Sequence, residues 1–311
     1  MVKYALLFPG QGAQFVGMGK ELVENFPSAR ALFEEADRIL GYPLSRICWE
    51  GPQEALVRTE HCQPALYVAS LAAWSALKSA AGHAMPAPSA AAGLSLGEYT
   101  ALAAAGVFSF ADGLKLVRLR GQAMEEAAQA RRGTMASVMG LELGELETIC
   151  SEAGAQVANI NAPGQIVISG TPESVQAASE KAKEKGAKRV VPLEVGGAFH
   201  SRLMEPASRR LQAALDEAAI RSPACQVMSN VTGAAYSGAV DETRSLLVKQ
   251  LTHPVCWEAC MKSMLQAGIQ TFLEVGPGTV LKGLCRRIDP AANVISVGTA
   301  DQVREAAPQL A

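Results

Sequence analysis

The amino-acid sequence predicts an α/β fold in which a large domain with a parallel-sheet core carries a small inserted subdomain. In residues 1–130 and 198–311, short apolar runs of strand length alternate with longer helical patterns. Between them, residues 131–197 follow the order β-α-β-β-α-β, which is typical of a ferredoxin-like unit. A small insertion within one large domain explains this change in the pattern of predicted elements better than two tandem domains.

The first part of the chain supplies the opening elements of the large domain. The apolar run "KYALLF" predicts a strand over residues 3–8, and "PGQGAQFVGMG" predicts a glycine-rich turn. A polar–apolar pattern then predicts a helix over residues 20–40, and a nearly continuous apolar pattern predicts a buried helix over 63–82. The stretch "HAMPAPS", which contains His83, is a breaker-rich connection.

The remaining elements follow in the same manner. The short run "AAAGLS" leads into the helical patterns of residues 97–106 and 110–130. In the insertion we predict strands over 135–141, 156–161, 165–170 and 188–195, and helices over 142–154 and 171–186. The large domain resumes with a helix that ends near residue 218, a strand and turn over 225–233, a helix over 255–268, and a strand, glycine loop and helix over 271–288.

Length, composition and charge narrow the class of protein. The 311 residues can bury a sizeable core, and 49% apolar with 19% charged residues is typical of globular proteins. A formal net charge of −2 gives no overall attraction to nucleic acid or anionic membranes, so an acidic partner requires a local basic patch. The N-terminal apolar run ends at Pro9 without a signal-peptide cleavage site, and no run is long enough to span a membrane. We expect a cytoplasmic protein that binds neither nucleic acid nor membrane, and nothing requires more than a monomer.

The cysteines predict no disulfide framework and no metal site. Only Cys256 and Cys260 share a helical face, and no second pair of ligands accompanies them, whereas a structural zinc site usually needs four ligands. We therefore expect reduced, mostly buried thiols. The seven positions are Cys48, Cys62, Cys150, Cys225, Cys256, Cys260 and Cys285.

The stretch "GLSLG" contains the candidate nucleophile. Gly93, Ser95 and Gly97 form a G-x-S-x-G pattern between a predicted strand and a predicted helix, the setting of the nucleophile in an α/β-hydrolase-like domain. The helix start directs free N–H groups at the site, so the N–H of Leu96 can donate to an oxyanion. Glu98, in the first helical turn, suits the helix dipole and needs no catalytic role. The five-residue pattern by itself is weak evidence for catalysis.

A serine nucleophile needs a base, and the chain offers four histidines. His83 is expected to be solvated, and His61 and His253 lie beside turns or helix starts, where a capping or surface role is expected. His200, in "GGAFHSRL", follows two glycines and precedes a helix, which is a suitable place for a base. Several acids lie between Ser95 and His200 in the chain, but none has a distinctive loop setting, so a third member of a triad stays unassigned.

Five ordered blocks give a much more specific signal than the serine motif. They are "FPGQGAQ", "GLSLGEYTALAAAG", "VRLRGQAM", "GAFHSRLM" and "FLEVGPGTVL". In this order they resemble the malonyl-CoA:acyl carrier protein transacylases of fatty acid synthesis, and the similarity extends to about residue 298. The glycine loop of the first block is followed by neither a dinucleotide fingerprint nor a P-loop lysine, so phosphate binding there is not expected.

The resemblance implies a ping-pong acyl transfer. Ser95 would take malonyl from coenzyme A and pass it to the phosphopantetheine thiol of an acyl carrier protein, with His200 as base and then acid. Family members orient this histidine with a backbone carbonyl, which in "KQLTHPVCW" we assign to Gln250. Gln11 would supply a second oxyanion N–H beside that of Leu96. No cofactor is implied, because the coenzyme A thioester is a substrate.

The resemblance also implies how the acyl group is chosen. Arg120, in "VRLRGQAM", matches the arginine that binds the free carboxylate of malonyl, and a planar guanidinium can do so through two parallel hydrogen bonds. Without the resemblance, Arg118 and Arg120 would be read as helix-surface charges. Phe199 precedes the histidine as in malonyl-selective relatives, and Met124, one turn after Arg120, is a second candidate for lining the acyl pocket. At Leu94 many relatives carry histidine, and we expect this departure to alter packing or substrate access.

Carrier proteins are acidic, so the docking surface should be basic. Two patches qualify, and a solvated surface is the ordinary role of both. The first lies on the insertion and the second on the last predicted helix; their residues are Lys181, Lys183, Lys185, Lys188 and Arg189, and Arg286 with Arg287.

Three other functions compete with a malonyltransferase of fatty acid synthesis. A trans-acting polyketide acyltransferase would carry the same residues, and the sequence does not separate the two pathways. A serine acyl hydrolase would use the same serine and histidine, but it has no need of a buried cation at Arg120. A non-catalytic scaffold that binds carrier protein is disfavoured, because Ser95, His200 and Gln11 occur together.

Overall fold

A parallel sheet forms the centre of the larger part of the molecule. The computed structural model describes residues 3–82 and 85–310. All neighbouring strands in this sheet are parallel. Their spatial order is β7 (Gln226–Val227), β2 (Ala90–Gly93), β1 (Tyr4–Phe8), β8 (Thr271–Val275) and β9 (Asn293–Val297). The carboxyl ends of these strands therefore meet at one edge, where ligand sites of open α/β sheets usually lie.

The central strand β1 shows why the sequence reads as a continuous apolar run. All five of its residues are buried. Tyr4, Leu6 and Phe8 join the core on one face of the sheet, and Ala5 and Leu7 join the core on the other face. Because successive side chains of a strand alternate between faces, a strand covered on both sides needs apolar residues at every position.

Helices cover both faces of this sheet. The first face packs mainly against the long helices α5 (Thr59–Ala81) and α7 (Phe110–Ala130), and the second against α12 (Trp257–Gln266) and α13 (Val280–Ile288). The helices of the larger part are α1 (Lys20–Asn25), α2 (Pro27–Leu40), α3 (Leu44–Glu50), α4 (Gln53–Val57), α5 (Thr59–Ala81), α6 (Leu96–Ala104), α7 (Phe110–Ala130), α10 (Glu205–Glu217), α11 (Val240–Gln250), α12 (Trp257–Gln266), α13 (Val280–Ile288) and α14 (Ala300–Leu310), with a 3₁₀ turn at Arg202–Met204.

A second, antiparallel sheet lies between α7 and α10 in the chain. Its order is β4 (Gln156–Ala162), β5 (Gln165–Gly170), β3 (Thr134–Met139) and β6 (Arg189–Pro192). Helices α8 (Leu143–Ala153) and α9 (Pro172–Glu184) cover one of its faces.

The two faces of the antiparallel sheet have different neighbours. Ala136 and Val138 pack into a small core of their own beneath α8 and α9. Met135 and Val167, on the opposite face, join the core of the larger part. The backbone of Ile160 and that of Val255 are hydrogen-bonded, which ties β4 to the segment before α12. The antiparallel sheet thus presents one face as a wall toward the parallel sheet.

The structure corrects one predicted element and leaves another unchanged. The helix predicted over residues 20–40 is two helices, because Phe26 is extended (φ −129°, ψ 111°) before Pro27, which begins α2. The strand and turn predicted over 225–233 are both present, with the strand at Gln226–Val227 and the turn after it. The sequence analysis also missed the short helices α3 and α4, the helix α11, the strand β9 and the final helix α14.

Within residues 3–82 and 85–310, no helix is long and apolar enough to cross a membrane. All seven cysteines are free thiols, five of them buried. Burial raises the pKa of the Cys62 thiol to about 12, so this thiol stays protonated at neutral pH.

Candidate active site

Ser95 lies on a tight turn between β2 and α6. Its backbone has φ 53° and ψ −103°, a conformation that non-glycine residues rarely adopt. A Cβ atom at Gly93 would lie 1.9 Å from the carbonyl carbon of Gly97, and one at Gly97 would lie 2.2 Å from the carbonyl oxygen of Phe8. The two glycines of the motif are therefore required because β1, β2 and α6 touch through their backbones at this turn.

A side chain distant in sequence fixes this turn. The Oδ1 atom of Asn230 accepts a hydrogen bond from the N–H of Ser95 at 2.7 Å, and its Nδ2 donates to the carbonyl of Gly93 at 2.8 Å. The sequence predicted a strand and turn here but gave no role to Asn230, because its partners Ser95 and Gly93 lie 135 and 137 residues away in the chain. An asparagine in "SNVTG", with a glycine three residues later, was the available signal of a turn.

His200 is positioned as a base for Ser95. Its Nε2 atom lies 2.8 Å from Ser95 Oγ, and its Nδ1 lies 2.7 Å from the backbone carbonyl oxygen of Gln250. A carbonyl oxygen only accepts, so we place the proton on Nδ1, and Nε2 is free to accept the Ser95 O–H. Burial, and next the charge of Arg120, lower the pKa of His200 to about 4, so the imidazole is neutral at pH 7.

His200 shares the unusual backbone of Ser95. Among the residues that the structure describes, these are the two non-glycine residues with positive φ, at 56° and 53°. Strained backbone of this kind persists where the surrounding structure holds it, and it is concentrated at functional sites.

Arg120 is a buried cation bound by neutral groups. Its Nη1 donates to Gln63 Oε1 at 2.7 Å, and its Nη2 donates to Gln250 Oε1 at 3.0 Å and to Ser95 Oγ at 3.1 Å. The guanidinium lies 5.4 Å from the centre of the Tyr99 ring, and its Nε has no hydrogen-bond partner in the described part of the chain. Burial lowers the pKa of Arg120. A buried guanidinium whose hydrogen-bond partners include no carboxylate is suited to bind an anion.

Glu98 lies in the first turn of α6, where the sequence predicted only a favourable interaction with the helix dipole. It is fully buried, and its carboxylate accepts hydrogen bonds from the backbone N–H of Asn230, the Tyr236 hydroxyl and the Nε2 of Gln250. Burial raises its pKa to about 7, although the three donors and the charge of Arg120 act in the opposite direction.

Two residues with free backbone N–H groups line the same cavity as Ser95. Gln11 and Leu96 both line the cavity at the serine, and neither N–H donates to an acceptor within residues 3–82 and 85–310. Gly10 permits the approach, because a Cβ there would lie 2.3 Å from the carbonyl oxygen of Leu94. Two free donors beside a nucleophile are suited to stabilise an oxyanion.

The cavity above Ser95 has a volume of about 230 Å³ and lies between the two sheets. On the antiparallel side, Asn161 Oδ1 and Gln165 Oε1 are buried and lack a hydrogen-bond partner among the described residues. The other lining residues are Gly10, Gln11, Leu94, Ser95, Leu96, Arg120, Met124, Met135, Asn159, Val167, Leu193, Val195, Phe199, His200, Val280 and Leu284.

The structure places the three residues predicted to bind the acyl group, Arg120, Phe199 and Met124, in the lining of this cavity. Phe199 and Met124 are buried and line it, and the Met124 sulfur accepts a hydrogen bond from Gln63 Nε2 at 3.3 Å. Gln63 was missed by sequence reasoning, since it lies within an apolar helix with no motif around it. Leu94 lines the cavity and packs against the second core.

The other histidines and the basic patches lie elsewhere. His61 Nδ1 contacts the carbonyl of Ala55, and His253 Nδ1 contacts that of Lys249. His83 lies outside the described residues. In the first basic patch Lys181 is paired with Glu152 and the other four residues are exposed; both arginines of the second patch are exposed on α13.

Known proteins resemble this chain over nearly its whole length. Residues 5–302 match the family model described as the acyl transferase domain. The chain is 44% identical over 308 residues to the malonyl CoA-acyl carrier protein transacylase of Bacillus subtilis, covering 97% of this chain and 96% of the relative. Among solved structures, the malonyl CoA-acyl carrier protein transacylase of Coxiella burnetii aligns with a TM-score of 0.95 and 37% identity over 99% of this chain and 98% of the other. A malonyl-transacylase in complex with its type II PKS acyl-carrier protein aligns with a TM-score of 0.94 and 37% identity over 99% of both chains.

Proposed function

The chain belongs to the acyl transferase domain family, and we propose that it is a malonyl-CoA:acyl carrier protein transacylase that acts through a malonyl ester on Ser95. One observation carries the proposal beyond acyl transfer in general. The buried guanidinium of Arg120 donates to Ser95 Oγ itself and has no carboxylate among its hydrogen-bond partners in residues 3–82 and 85–310. An acyl group that ends in a carboxylate supplies the missing anion next to the nucleophile.

The first half-reaction loads the enzyme. His200 Nε2 accepts the hydroxyl proton as Ser95 Oγ attacks the thioester carbonyl of malonyl-CoA, and the oxyanion is held by the N–H groups of Gln11 and Leu96. Collapse of the tetrahedral intermediate breaks the C–S bond. The protonated His200 gives its proton to the departing sulfur, so coenzyme A leaves as a thiol and malonyl remains as an ester.

The second half-reaction reverses these roles for a new thiol. His200 takes the proton of the phosphopantetheine thiol on the carrier protein, and the sulfur attacks the malonyl ester carbonyl. The same two N–H groups hold the oxyanion, and Ser95 Oγ leaves with the proton from His200. The backbone carbonyl of Gln250 accepts from His200 Nδ1 at 2.7 Å, which keeps Nε2 directed at Ser95 through both steps.

Arg120 links acyl selection to the base. Its charge is the second cause, after burial, of the low pKa of His200. A malonyl carboxylate paired with Arg120 offsets that charge, so the pKa of His200 rises when the correct acyl group is present. A stronger base is then available for malonyl than for an uncharged acyl group. Phe199 and Met124 form the apolar walls around the short chain of malonyl.

The antiparallel wall is suited to the pantetheine arm that both thioesters share. Pantetheine carries two amide N–H groups, and Asn161 Oδ1 and Gln165 Oε1 are buried acceptors without partners in the described chain. Binding an amide N–H at these oxygens satisfies groups whose burial is otherwise costly. We assign the arm to this wall.

We also propose the finer architecture of the two parts. The larger part is α/β-hydrolase-like, which is supported by a serine with φ 53° on the turn between β2 and α6. Residues 131–197 form an inserted ferredoxin-like subdomain, which is supported by its β-α-β-β-α-β element order and by the strand order β4-β5-β3-β6.

The carrier protein docks on basic surface near the cavity mouth. Arg286 and Arg287 lie on α13, the helix that also contributes Val280 and Leu284 to the cavity. The patch on α9 and β6 is an alternative, because β6 leads directly into Leu193 and Val195 of the lining. Either surface supplies the positive charge that an acidic carrier protein requires.

Intact-mass measurement tests the proposed function. Wild-type protein, mixed with malonyl-CoA and quenched rapidly, should gain the mass of one malonyl group and lose it when holo carrier protein is added. Ser95→Ala should show no adduct, and its transfer rate should fall by about 10³-fold or more. An unchanged wild-type mass contradicts the malonyl-enzyme intermediate. Loss of the adduct to water at the same rate with and without carrier protein indicates an acyl hydrolase instead.

A further inference from the structure

The amide group of Gln250 joins two charged side chains. Its Oε1 accepts from Arg120 Nη2 at 3.0 Å, and its Nε2 donates to the backbone carbonyl of Ser95 at 2.9 Å and to Glu98 Oε2. The direction of this amide matters, because the opposite orientation would turn the NH₂ group toward the guanidinium and place donor against donor. Arg120 keeps its present position only while the oxygen of Gln250 faces it.

Glu98 is the group that fixes this direction. Two of its partners, Gln250 Nε2 and the backbone N–H of Asn230 at 3.2 Å, can only donate, and the Tyr236 hydroxyl also donates to it. The ionised carboxylate is an acceptor at both oxygens, so it suits all three donors. A neutral amide or acid at this place would carry its own donor, and one of the contacts would be lost.

We propose that Glu98 is a positioning residue for malonyl selection, whose carboxylate orients the Gln250 amide and so holds the Arg120 guanidinium beside Ser95 Oγ. The inference rests on the proposed function, since it requires Arg120 to bind the malonyl carboxylate. Glu98 acts through Gln250 and touches no reacting atom. Its partners lie on separate elements, Gln250 at the end of α11 and Asn230 and Tyr236 around the turn after β7.

The charge state of Glu98 predicts how malonyl loading depends on pH. Burial raises the pKa of Glu98 to about 7, and the titratable groups that face it are Tyr99, Arg120, Tyr236 and Cys260. Below pH 7 the carboxylate fraction falls about tenfold per pH unit. His200 has its pKa near 4 and stays neutral over most of that range. Malonyl loading should therefore weaken as the pH falls below 7, well before His200 is protonated.

The test compares two acyl donors across pH 5.5 to 8.5 in three proteins: wild type, Glu98→Gln and Tyr236→Phe. At pH 8 we expect Glu98→Gln to lose about 10- to 100-fold in kcat/KM with malonyl-CoA and less than about threefold with acetyl-CoA. We call the expected fall of malonyl kcat/KM below pH 7 the acid limb, and it should be absent in Glu98→Gln. Tyr236→Phe keeps the Gln250 contact but removes a donor to Glu98, so its malonyl preference at high pH should persist while its acid limb moves upward.

Three results overturn the inference while the wild type remains active with malonyl-CoA. The first is an unchanged ratio of malonyl to acetyl kcat/KM in folded Glu98→Gln. The second is an equal loss with both donors. The third, which applies even when Glu98→Gln does not fold, is an acid limb that stays in place in Tyr236→Phe. A wild-type protein that transfers no malonyl overturns the proposed function itself, which separates the two failures.

Discussion

The two walls of the cavity satisfy their polar groups in opposite ways. On the wall from the parallel-sheet side, Ser95, His200 and Arg120 are joined to one another and to Gln250 by hydrogen bonds of 2.7–3.1 Å. On the wall from the antiparallel sheet, the side-chain oxygens of Asn161 and Gln165 are buried without partners in the described chain. We call the first the reacting wall, because its groups are already arranged for the reaction. We call the second the receiving wall, because it has acceptors that a ligand must satisfy.

This difference follows from where each wall comes from. The reacting wall is built at the carboxyl ends of β1 and β2, where Gln11 and Ser95 follow neighbouring parallel strands, and strand ends and helix starts leave free N–H groups there. The receiving wall is the face that the antiparallel strands turn toward the parallel sheet, where side chains stand perpendicular to their own sheet. The reacting wall can hold one acyl group on Ser95, and the free acceptors of the receiving wall can bind first coenzyme A and then the carrier protein's phosphopantetheine.

Removing Arg120 should give the largest loss that is specific to malonyl. We expect Arg120→Ala to lower kcat/KM for malonyl-CoA by about 10²- to 10³-fold, because a charged hydrogen-bonded pair is lost, and to change acetyl transfer much less. Steady-state kinetics with both donors measure the ratio. Arg118→Ala is the matched control, since that guanidinium donates to the Leu40 carbonyl and lies over Tyr42, outside the cavity. Equal losses with both donors in Arg120→Ala contradict the assignment.

A single methyl group should disturb the turn under the nucleophile. A Cβ at position 97 would lie 2.2 Å from the Phe8 carbonyl oxygen and 3.0 Å from that of Pro9. We expect Gly97→Ala to lower the free energy of unfolding by about 1–3 kcal/mol and transfer by about tenfold or more, as Ser95 shifts. Gly144→Ala, on α8 with no atom within 4 Å, is the control and should be neutral or stabilising. Denaturant unfolding and kinetics check both; equal behaviour of the two variants would contradict the argument.

The elements that the sequence predicted well are those whose causes are local. The G-x-S-x-G pattern lies within five residues of chain, so it can be read from the sequence, although the contact that requires Gly97 is with Phe8 on β1. Asn230 and Glu98 act together across 132 residues, and Arg120 meets Gln63 across 57. Only the fold brings such pairs together, and for this reason Glu98 was read as a helix-dipole residue and Gln63 as core. The break at Pro27 was local as well, and a proline inside the predicted helix should have divided it.

The smallest effect should come from a substitution on the receiving wall. This substitution tests whether that wall affects substrate binding (KM) without affecting the chemical step (kcat). We expect Asn161→Leu to raise KM for malonyl-CoA about three- to tenfold and to leave kcat within about twofold, because one hydrogen bond to the arm is lost while the reacting wall is untouched. The unfolding free energy should stay equal or rise by about 1 kcal/mol, since a buried oxygen without a partner is removed. Kinetics and denaturant unfolding give both numbers. A large fall in kcat with KM unchanged would show that this wall also positions the reacting groups, and the contrast between the two walls would then be lost.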